Sequence, residues 1–277
     1  MHAAHRLWTT LEPLHAVVYF APEVRVAGKE LGLRGFWDTY FAFRAAPLGP
    51  IAAGPVVATF AGFEPAMVGK ALPSAWTRVS VADCLATRVA VSAAVLRAVG
   101  VSPSACAAAV ELLSPVVLEA TGRPLGMANA ALPLSSDPVE ALWQVATTLR
   151  EHRGDGHVAA LMTSGLSGLD ALLLQVANGR FPEETMRGAR GWSSSEWAAA
   201  RESLVGRGLL GAYGLTGAGE ELLASVESVT DTVAWQGGLA SLGDGVEAAV
   251  DVLAPSVSAL WDAGVLPATN PIGVTRA

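Results

Sequence analysis

Residues 80–100 read SVADCLATRVAVSAAVLRAVG, and this stretch shows the pattern that decides the fold. Apolar residues recur three and four positions apart between Val81 and Val99, which places them on one face of an α-helix. Ser80 stands at the N-cap position with Asp83 three residues later, and Gly100 stands where a helix ends. The stretch therefore predicts a capped amphipathic helix.

The same pattern repeats along the chain, whereas the alternating pattern of strands is almost absent. Seven more runs have helical spacing: residues 11–20, 105–120, 139–149, 158–166, 171–177, 196–204 and 222–233. Further N-caps are predicted at Thr9, Ser102, Asp137 and Ser193. A strand-like run, VVATF at residues 56–60, follows a predicted helix over 36–44 and indicates a second small unit. We predict an all-α multi-helix bundle with little strand.

Composition excludes several classes of protein. The 277 residues are 52% hydrophobic and only 16% charged, against roughly 25% charged in an average soluble domain. A disordered chain, a coiled coil and a collagen-like repeat are excluded by these values. The net charge is −7, and residues 208–277 hold one basic and eight acidic residues. This acidity argues against non-specific binding to nucleic acid or anionic lipid.

The sequence predicts a cytoplasmic protein. Its N-terminus lacks the charged and apolar regions of a signal peptide. The uncharged stretch 45–63 is broken by three prolines, which favours a buried connector over a membrane helix. Cys84 and Cys106 lie in helical text without a CxxC pair, so we expect two buried thiols.

The least periodic stretch is residues 122–137, GRPLGMANAALPLSSD. It is predicted to be either a linker or an ordered wrap over one continuous core. It divides the chain into a helical region over residues 1–121 and a second over residues 138–277.

Within the second region, residues 182–233 contain a Ser-capped helix followed by RGLLGAYGLTGAGEELL at 207–223. This order resembles the last part of a winged helix of the MarR type. The resemblance implies a recognition helix over 194–205 and a wing over 209–215. That helix has Arg201 as its one cation, and the wing has neither lysine nor arginine. DNA is therefore not the expected partner.

The whole chain also resembles a group of actinobacterial proteins called a helix-turn-helix family. The resemblance rests on LEPLH at 11–15, RAAPLG at 44–49, LREHRGDGH at 149–157 and RGW at 190–192. It implies the fold and defines no activity. The motifs of nucleotide hydrolysis, Rossmann redox chemistry, α/β-hydrolases and zincins are absent from the sequence.

Two of these motifs carry candidate catalytic residues. In LEPLH, Glu12 and His15 are three residues apart and project from one helix face. In REHRGDGH, Gly154 and Gly156 predict a sharp corner between two helices. The candidate catalytic residues are His15, His152, His157, Glu12 and Asp155. We expect His152 or His157 to face the same internal cavity as His15.

Carboxylates and imidazoles on paired helices either bind a metal or act as general acid and base. The metal candidates are His15, His152, His157 and Glu12, and a divalent transition metal would suit them. Because Glu151 and His152 are adjacent, the spacing departs from the Glu-x-x-His pairs of a di-iron bundle.

Structural alternatives stay open for these residues. Glu12 could complete a capping box with Thr9, and His15 could be a core histidine. Asp155 would N-cap the helix after the predicted corner. Glu151 and Arg153 could be solvated charges at a helix end.

A ligand pocket is predicted beside the aromatic helix FWDTYFAFR, residues 36–44. Arg44 at its end could bind a ligand carboxylate or phosphate, and the other candidate ligand contacts are Tyr19, Tyr40 and Trp37. A core helix with an aromatic stripe is the structural alternative.

These residues favour a protein that handles a small molecule, more specifically an enzyme of specialised metabolism. One alternative is a MarR-like ligand sensor that binds operator DNA as a homodimer. Another is a ligand-sequestering self-resistance protein, which would use the same pocket without turnover.

Overall fold

The computed structural model describes residues 1–276, and its regular secondary structure is almost entirely helical, which confirms the predicted fold class. The helices are α1 Ala3–Phe20, α2 Pro22–Glu30, α3 Phe36–Ala45, α4 Ala53–Phe60, α5 Pro65–Ala71, α6 Val81–Ala98, α7 Pro103–Leu113, α8 Pro124–Ala130, α9 Pro138–Thr163, α10 Gly168–Ala177, α11 Glu183–Arg190, α12 Ser194–Gly206, α13 Gly217–Gln236 and α14 Gly245–Asp262. A two-residue hairpin, β1 Leu210–Gly211 and β2 Gly214–Leu215, precedes α13.

The apolar side chains form two clusters. The larger one joins α1, α3, α6, α7, α9 and α14, and Trp143 of α9 is its largest fully buried side chain. The smaller one joins α10, α11, α12 and the hairpin, with Met186, Trp197 and Leu204 buried in it. Three helices followed by a hairpin give this second part the order of a winged helix. Helices α9 and α13 contribute residues to both clusters.

Helix α9 is the centre of the molecule because it contacts α1, α6, α7, α8 and α13. Asp137 caps its first turn by accepting hydrogen bonds from Val139 and Glu140. The helix then runs unbroken for 26 residues through Gly154 and Gly156. The corner predicted at these glycines is therefore wrong, and Asp155 is not an N-cap of α9 or of any following helix.

The glycines of this region permit close approach of neighbouring groups. A Cβ atom at Gly156 would lie 2.0 Å from the Nη1 atom of Arg123, whose guanidinium binds the carbonyls of His152 and Val233. A Cβ atom at Gly126 of α8 would lie 2.5 Å from the Cα atom of His152. Glycine thus lets α8 and Arg123 pack directly against α9.

Two other local predictions are corrected. Helix α1 begins at Ala3 with His2 as N-cap, so Thr9 and Glu12 lie inside the helix and do not form a capping box. Residues 56–60 are helical, within α4, because their apolar side chains pack along one side of a short helix.

The segment 122–137, predicted as a linker or ordered wrap, contains α8, which packs on α9.

No single helix among residues 1–276 combines the length and the apolar character needed to span a membrane. Three sharply bent helix pairs reach that length and composition together. Cys84 and Cys106 are buried free thiols, as predicted.

Replacing Gly126 and Gly154 separately by alanine tests the close packing of α8 on α9. Both glycines are helical, so alanine gains about 0.5–1 kcal/mol from helix propensity at either position. At Gly154 the nearest atom would be Glu151 Oε2 at 3.7 Å, so Gly154→Ala should raise the free energy of unfolding. Gly126→Ala should lower it by about 1–3 kcal/mol through overpacking, as measured by urea denaturation. Equal effects of the two substitutions would contradict the packing.

Candidate functional site

A cavity of about 270 Å³ lies between the large helical cluster and the winged-helix part. Helices α1, α3 and α9 line one side, and α10, α11 and α13 line the other. The segments around Phe63, Phe181 and Pro271 complete the walls. Five arginines and four carboxylates border the cavity: Arg44, Arg150, Arg153, Arg180 and Arg190 with Glu12, Glu151, Asp155 and Glu227. This is a high density of charge for a chain with only 16% charged residues.

A chain of buried ion pairs crosses the inner wall. Glu151 accepts two hydrogen bonds from Arg44, at 2.8 and 3.0 Å, and one from Arg150 at 2.8 Å. Arg150 also donates to Glu12, which accepts a further bond from the Trp8 indole. The inner arginines are therefore held in fixed positions by carboxylates.

Glu151 is 2% exposed, yet it stays ionised. Burial alone would raise its pKa, but the adjacent guanidiniums of Arg150 and Arg44 outweigh burial and lower the pKa. In return, Glu151 offsets the desolvation of Arg44, whose pKa is raised. The group of charges is mutually neutralising, and removing one member would leave another uncompensated.

A second group of charges joins α1, α9 and α13. Arg153 donates to both Glu227 and Asp231, and the same two carboxylates lie within 3.3 Å of His5 Nδ1. Within residues 1–276, His5, Glu227 and Asp231 form a group whose potential metal-ligating atoms all lie within 4.8 Å of one another. Arg153 donates to both carboxylates and its single charge offsets one of the two, so the contacts of the group are those of an ion-pair network.

His157 lines the cavity, and one of its two ring nitrogens is held by a hydrogen bond. Its Nδ1 atom lies 3.0 Å from the hydroxyl of Thr230, and that hydroxyl donates its single proton to the carbonyl of Val226. His157 must therefore donate through Nδ1–H, which leaves a lone pair on Nε2. Nε2 has no hydrogen-bond partner in residues 1–276 and is not among their fully buried unpaired atoms. Burial lowers the pKa of His157, so the ring is neutral at pH 7.

His15 has the same local arrangement but no lone pair to offer. Its Nδ1 atom binds Thr147, whose hydroxyl donates to Trp143, and its Nε2 atom accepts the Tyr19 hydroxyl at 2.8 Å. His15 is buried, and burial lowers its pKa well below the usual value. Its two nitrogens are satisfied by the core, so His15 acts as the core histidine of the structural alternative.

Asp155 fixes the start of α8. Its Oδ2 atom accepts the backbone N–H groups of Leu125 and Gly126 at 3.0 and 2.8 Å. Burial raises the pKa of Asp155 to about 6, although these two bonds oppose the shift. Its Oδ1 atom accepts no bond from residues 1–276 and retains accessible surface, and the residue lines the cavity.

The structure brings together only some of the sequence-predicted site residues. Glu12, Asp155, His157, Arg44 and Tyr40 line the cavity. His15 and Tyr19 lie behind it, around a separate void of about 10 Å³. His152 binds the carbonyl of Glu119 on another side of α9, and Trp37 packs in an aromatic cluster with Phe36, Phe41 and Phe63.

His15 therefore does not line the cavity that His157 lines. Because α9 is unbroken, the side chains of His152 and His157 leave it in different directions, and only His157 lines this cavity. The metal ligands predicted from the sequence are Glu12, His15, His152 and His157. Among residues 1–276, no three of them lie close enough together to form a metal-binding group.

Sequence reasoning missed Arg150, Arg153, Arg180, Arg190 and Glu227. Their partners are distant along the chain, for example Arg150 and Glu12, which are 138 residues apart. One usable signal was present: Arg150 and Arg153 belong to a helix whose neighbours are otherwise apolar. On such a helix, charged residues are buried only when they are paired.

The outer face of the winged-helix part carries few cations. In α12, Arg201 is accompanied by Glu196 and Glu202, and Arg207 at its end faces Asp170 at 3.8 Å. The tip of the hairpin is Tyr213, which is fully exposed.

A model of the helix-turn-helix family matches residues 4–267. Because the match spans nearly the whole chain, the protein belongs to this family. No curated protein and no solved structure matches it.

The neutral buried histidines make stability depend on pH. Burial lowers the pKa of His15, His152 and His157, so below about pH 6.5 the unfolded chain binds protons that the folded protein does not. The melting temperature should therefore fall between pH 7.5 and 5.5, by scanning calorimetry. Asp155, which binds its proton more readily when folded, opposes part of this fall.

His15→Gln should make the accompanying loss of unfolding free energy smaller by about 1 kcal/mol, because glutamine does not titrate. An unchanged pH dependence in the variant would contradict a neutral, buried His15.

The tautomer of His157 can be measured directly. Long-range ¹H–¹⁵N NMR at pH 7 should show a protonated Nδ1 and an unprotonated Nε2 for His157. Thr230→Val removes the acceptor of the Nδ1–H group, so the two tautomers should become mixed. A protonated Nε2 in the wild-type protein would rule out its use as a base.

Proposed function

We propose that this protein binds a small organic molecule in the central cavity and transfers a proton to or from it through His157 Nε2. The observation that carries the proposal is the unbonded Nε2 lone pair of His157, a residue that lines a cavity bordered by five arginines. A neutral imidazole is a general base near neutral pH, and arginines stabilise negative charge that develops on a reacting molecule.

The surroundings of His157 support this chemistry. Thr230 holds the ring by its Nδ1–H group, as a base must be held to keep its other nitrogen in place. Asp155 lines the same cavity with a pKa of about 6, so it offers a second titratable oxygen there. Neighbouring groups with shifted pKa values and different roles are typical of active sites.

The proposal is tested by a search for bound molecules followed by a proton-transfer assay. A library of small organic acids and ketones is screened by thermal shift, and each stabilising compound is then incubated with the protein in D₂O. Wild-type protein should exchange a C–H proton of at least one compound or convert it, as seen by ¹H NMR and mass spectrometry. His157→Gln should bind the same compound and slow the reaction by about 100-fold or more.

His15→Gln is the matched control, because His15 has its own threonine partner but lies outside the cavity. It should retain the rate of the wild-type protein. Binding without exchange or product for every compound would contradict the proposal and favour the ligand-sequestering alternative.

A ligand-sensing regulator of the MarR type is the second candidate, favoured by the family and by the winged-helix order of α10–α12 and the hairpin. The charge of its outer face argues against it. DNA-binding wings reach phosphates with lysine or arginine, whereas residues 209–215 contain neither.

The two functions differ in their response to salt. Fluorescence polarisation is measured with duplex DNA of random sequence and with duplex DNA from upstream of the gene that encodes this protein. Neither DNA should show binding that weakens as the salt concentration rises from 50 to 200 mM. A regulator with several phosphate contacts would lose about 10³–10⁵-fold in affinity over a similar range. Such a loss would replace the enzymatic proposal by the regulatory one.

A further inference from the structure

The arginines of the cavity fall into two groups that differ in their partners. Arg44, Arg150 and Arg153 each pair with carboxylates and are at most 14% exposed at the side chain. Arg190 donates to the carbonyl of Pro271 at 2.7 Å, and Arg180 donates to the carbonyl of Gly273 at 3.0 Å. Neither of these two forms an ion pair with a carboxylate in residues 1–276.

This difference leaves Arg180 and Arg190 without a directly bonded carboxylate, although Glu227 attracts the charge of Arg180 at longer range. A backbone carbonyl satisfies one guanidinium N–H group but does not neutralise the charge. Each guanidinium has five N–H donors, and each uses one in the bonds above. Burial also lowers the pKa of Arg190, and Arg44 and Arg150 repel its charge. A bound anion would relieve this repulsion.

The walls beside the two arginines are aromatic. The Cζ atom of Arg190 lies 4.5 Å from the centre of the Phe63 ring, and that of Arg180 lies 5.8 Å from the Phe181 ring. Tyr40 also lines the cavity. Flat apolar walls next to guanidiniums that lack a bonded carboxylate suit a flat apolar molecule that carries an acidic group.

We propose that Arg180 and Arg190 bind the carboxylate of an aromatic acid whose ring lies in the cavity. The inference rests on the proposed ligand site and names the class of molecule that occupies it. Guanidinium groups bind carboxylates through paired, charge-assisted hydrogen bonds, which a neutral amide cannot replace. The carboxylate thereby fixes the end of the molecule, while His157 and Asp155 border its remainder.

The test compares acids with their neutral amides. Isothermal titration calorimetry is run with benzoate, 4-hydroxybenzoate and 2-naphthoate, each paired with its carboxamide. Saturable binding of at least one acid is expected, with its amide at least 10-fold weaker. Arg190→Leu and Arg180→Leu should each weaken the acid about 10- to 100-fold and leave the amide unchanged.

Arg187→Leu is the matched control, because Arg187 lies on the same helix as Arg190 but donates to Ser194 outside the cavity. It should bind the acid as the wild-type protein does. Arg180 is exposed, so we expect Arg180→Leu to fold even where loss of Arg190 disturbs packing. The folding of each variant is checked by circular dichroism.

Failure of this inference is distinguishable from failure of the proton-transfer proposal. His157→Gln should keep the preference for each acid over its amide, because the arginines hold the carboxylate. Equal affinity for acid and amide, normal binding by both arginine variants, or no binding of any acid would overturn the inference. Arginine-dependent binding without any proton exchange would support it while contradicting only the proposed chemistry.

Discussion

The buried carboxylate of Glu151, placed between two guanidiniums, is the interaction on which the rest of the structure depends. It stands on α9, the helix that contacts α1, α6, α7, α8 and α13, and it joins α3 through Arg44 to α1 through Arg150 and Glu12. Charges at this depth are tolerated only when each is paired, because desolvation of an isolated ion costs several kcal/mol. The network therefore fixes the relative positions of three helices and, with them, the inner wall of the cavity.

Whether the sequence predicts an interaction depends on how far apart its two partners lie along the chain. Helices capped by Ser80, Ser102, Asp137 and Ser193 were predictable, because a cap and its helix lie within a few residues. The ion pairs were not, since Arg44 and Glu151 are 107 residues apart and an arginine at a helix end reads equally as solvated. Long-range pairing decides whether such a charge is buried.

Gly154 and Gly156 illustrate a second limit. Glycine permits a turn, but it also permits a neighbouring group to approach a helix closely, and sequence alone does not distinguish the two uses. Here Arg123 occupies the space that a side chain at Gly156 would need, and α9 remains straight enough to carry Glu151, Asp155 and His157 to one cavity. A corner at these glycines would bring His152 and His157 together, whereas the unbroken helix places only His157 at the cavity. Several of the residues predicted for the site do line the cavity, whereas their predicted positions relative to one another differ from those in the structure.

The winged-helix part faces the cavity with its inward side. Met186 and Arg190 of α11, Leu172 of α10 and Leu223 of α13 line the cavity, so this part supplies one of its two walls. Its outward face, in contrast, has an acidic balance along α12 and an uncharged hairpin. A surface that reads DNA needs cations on the outward face, while a wall of a binding site needs shape and charge on the inward one. On its inward side this part supplies Arg180, Phe181 and Arg190 to the cavity. The winged-helix part and the helical region thus each supply one wall of the cavity, which is the arrangement that the proposed small-molecule site requires.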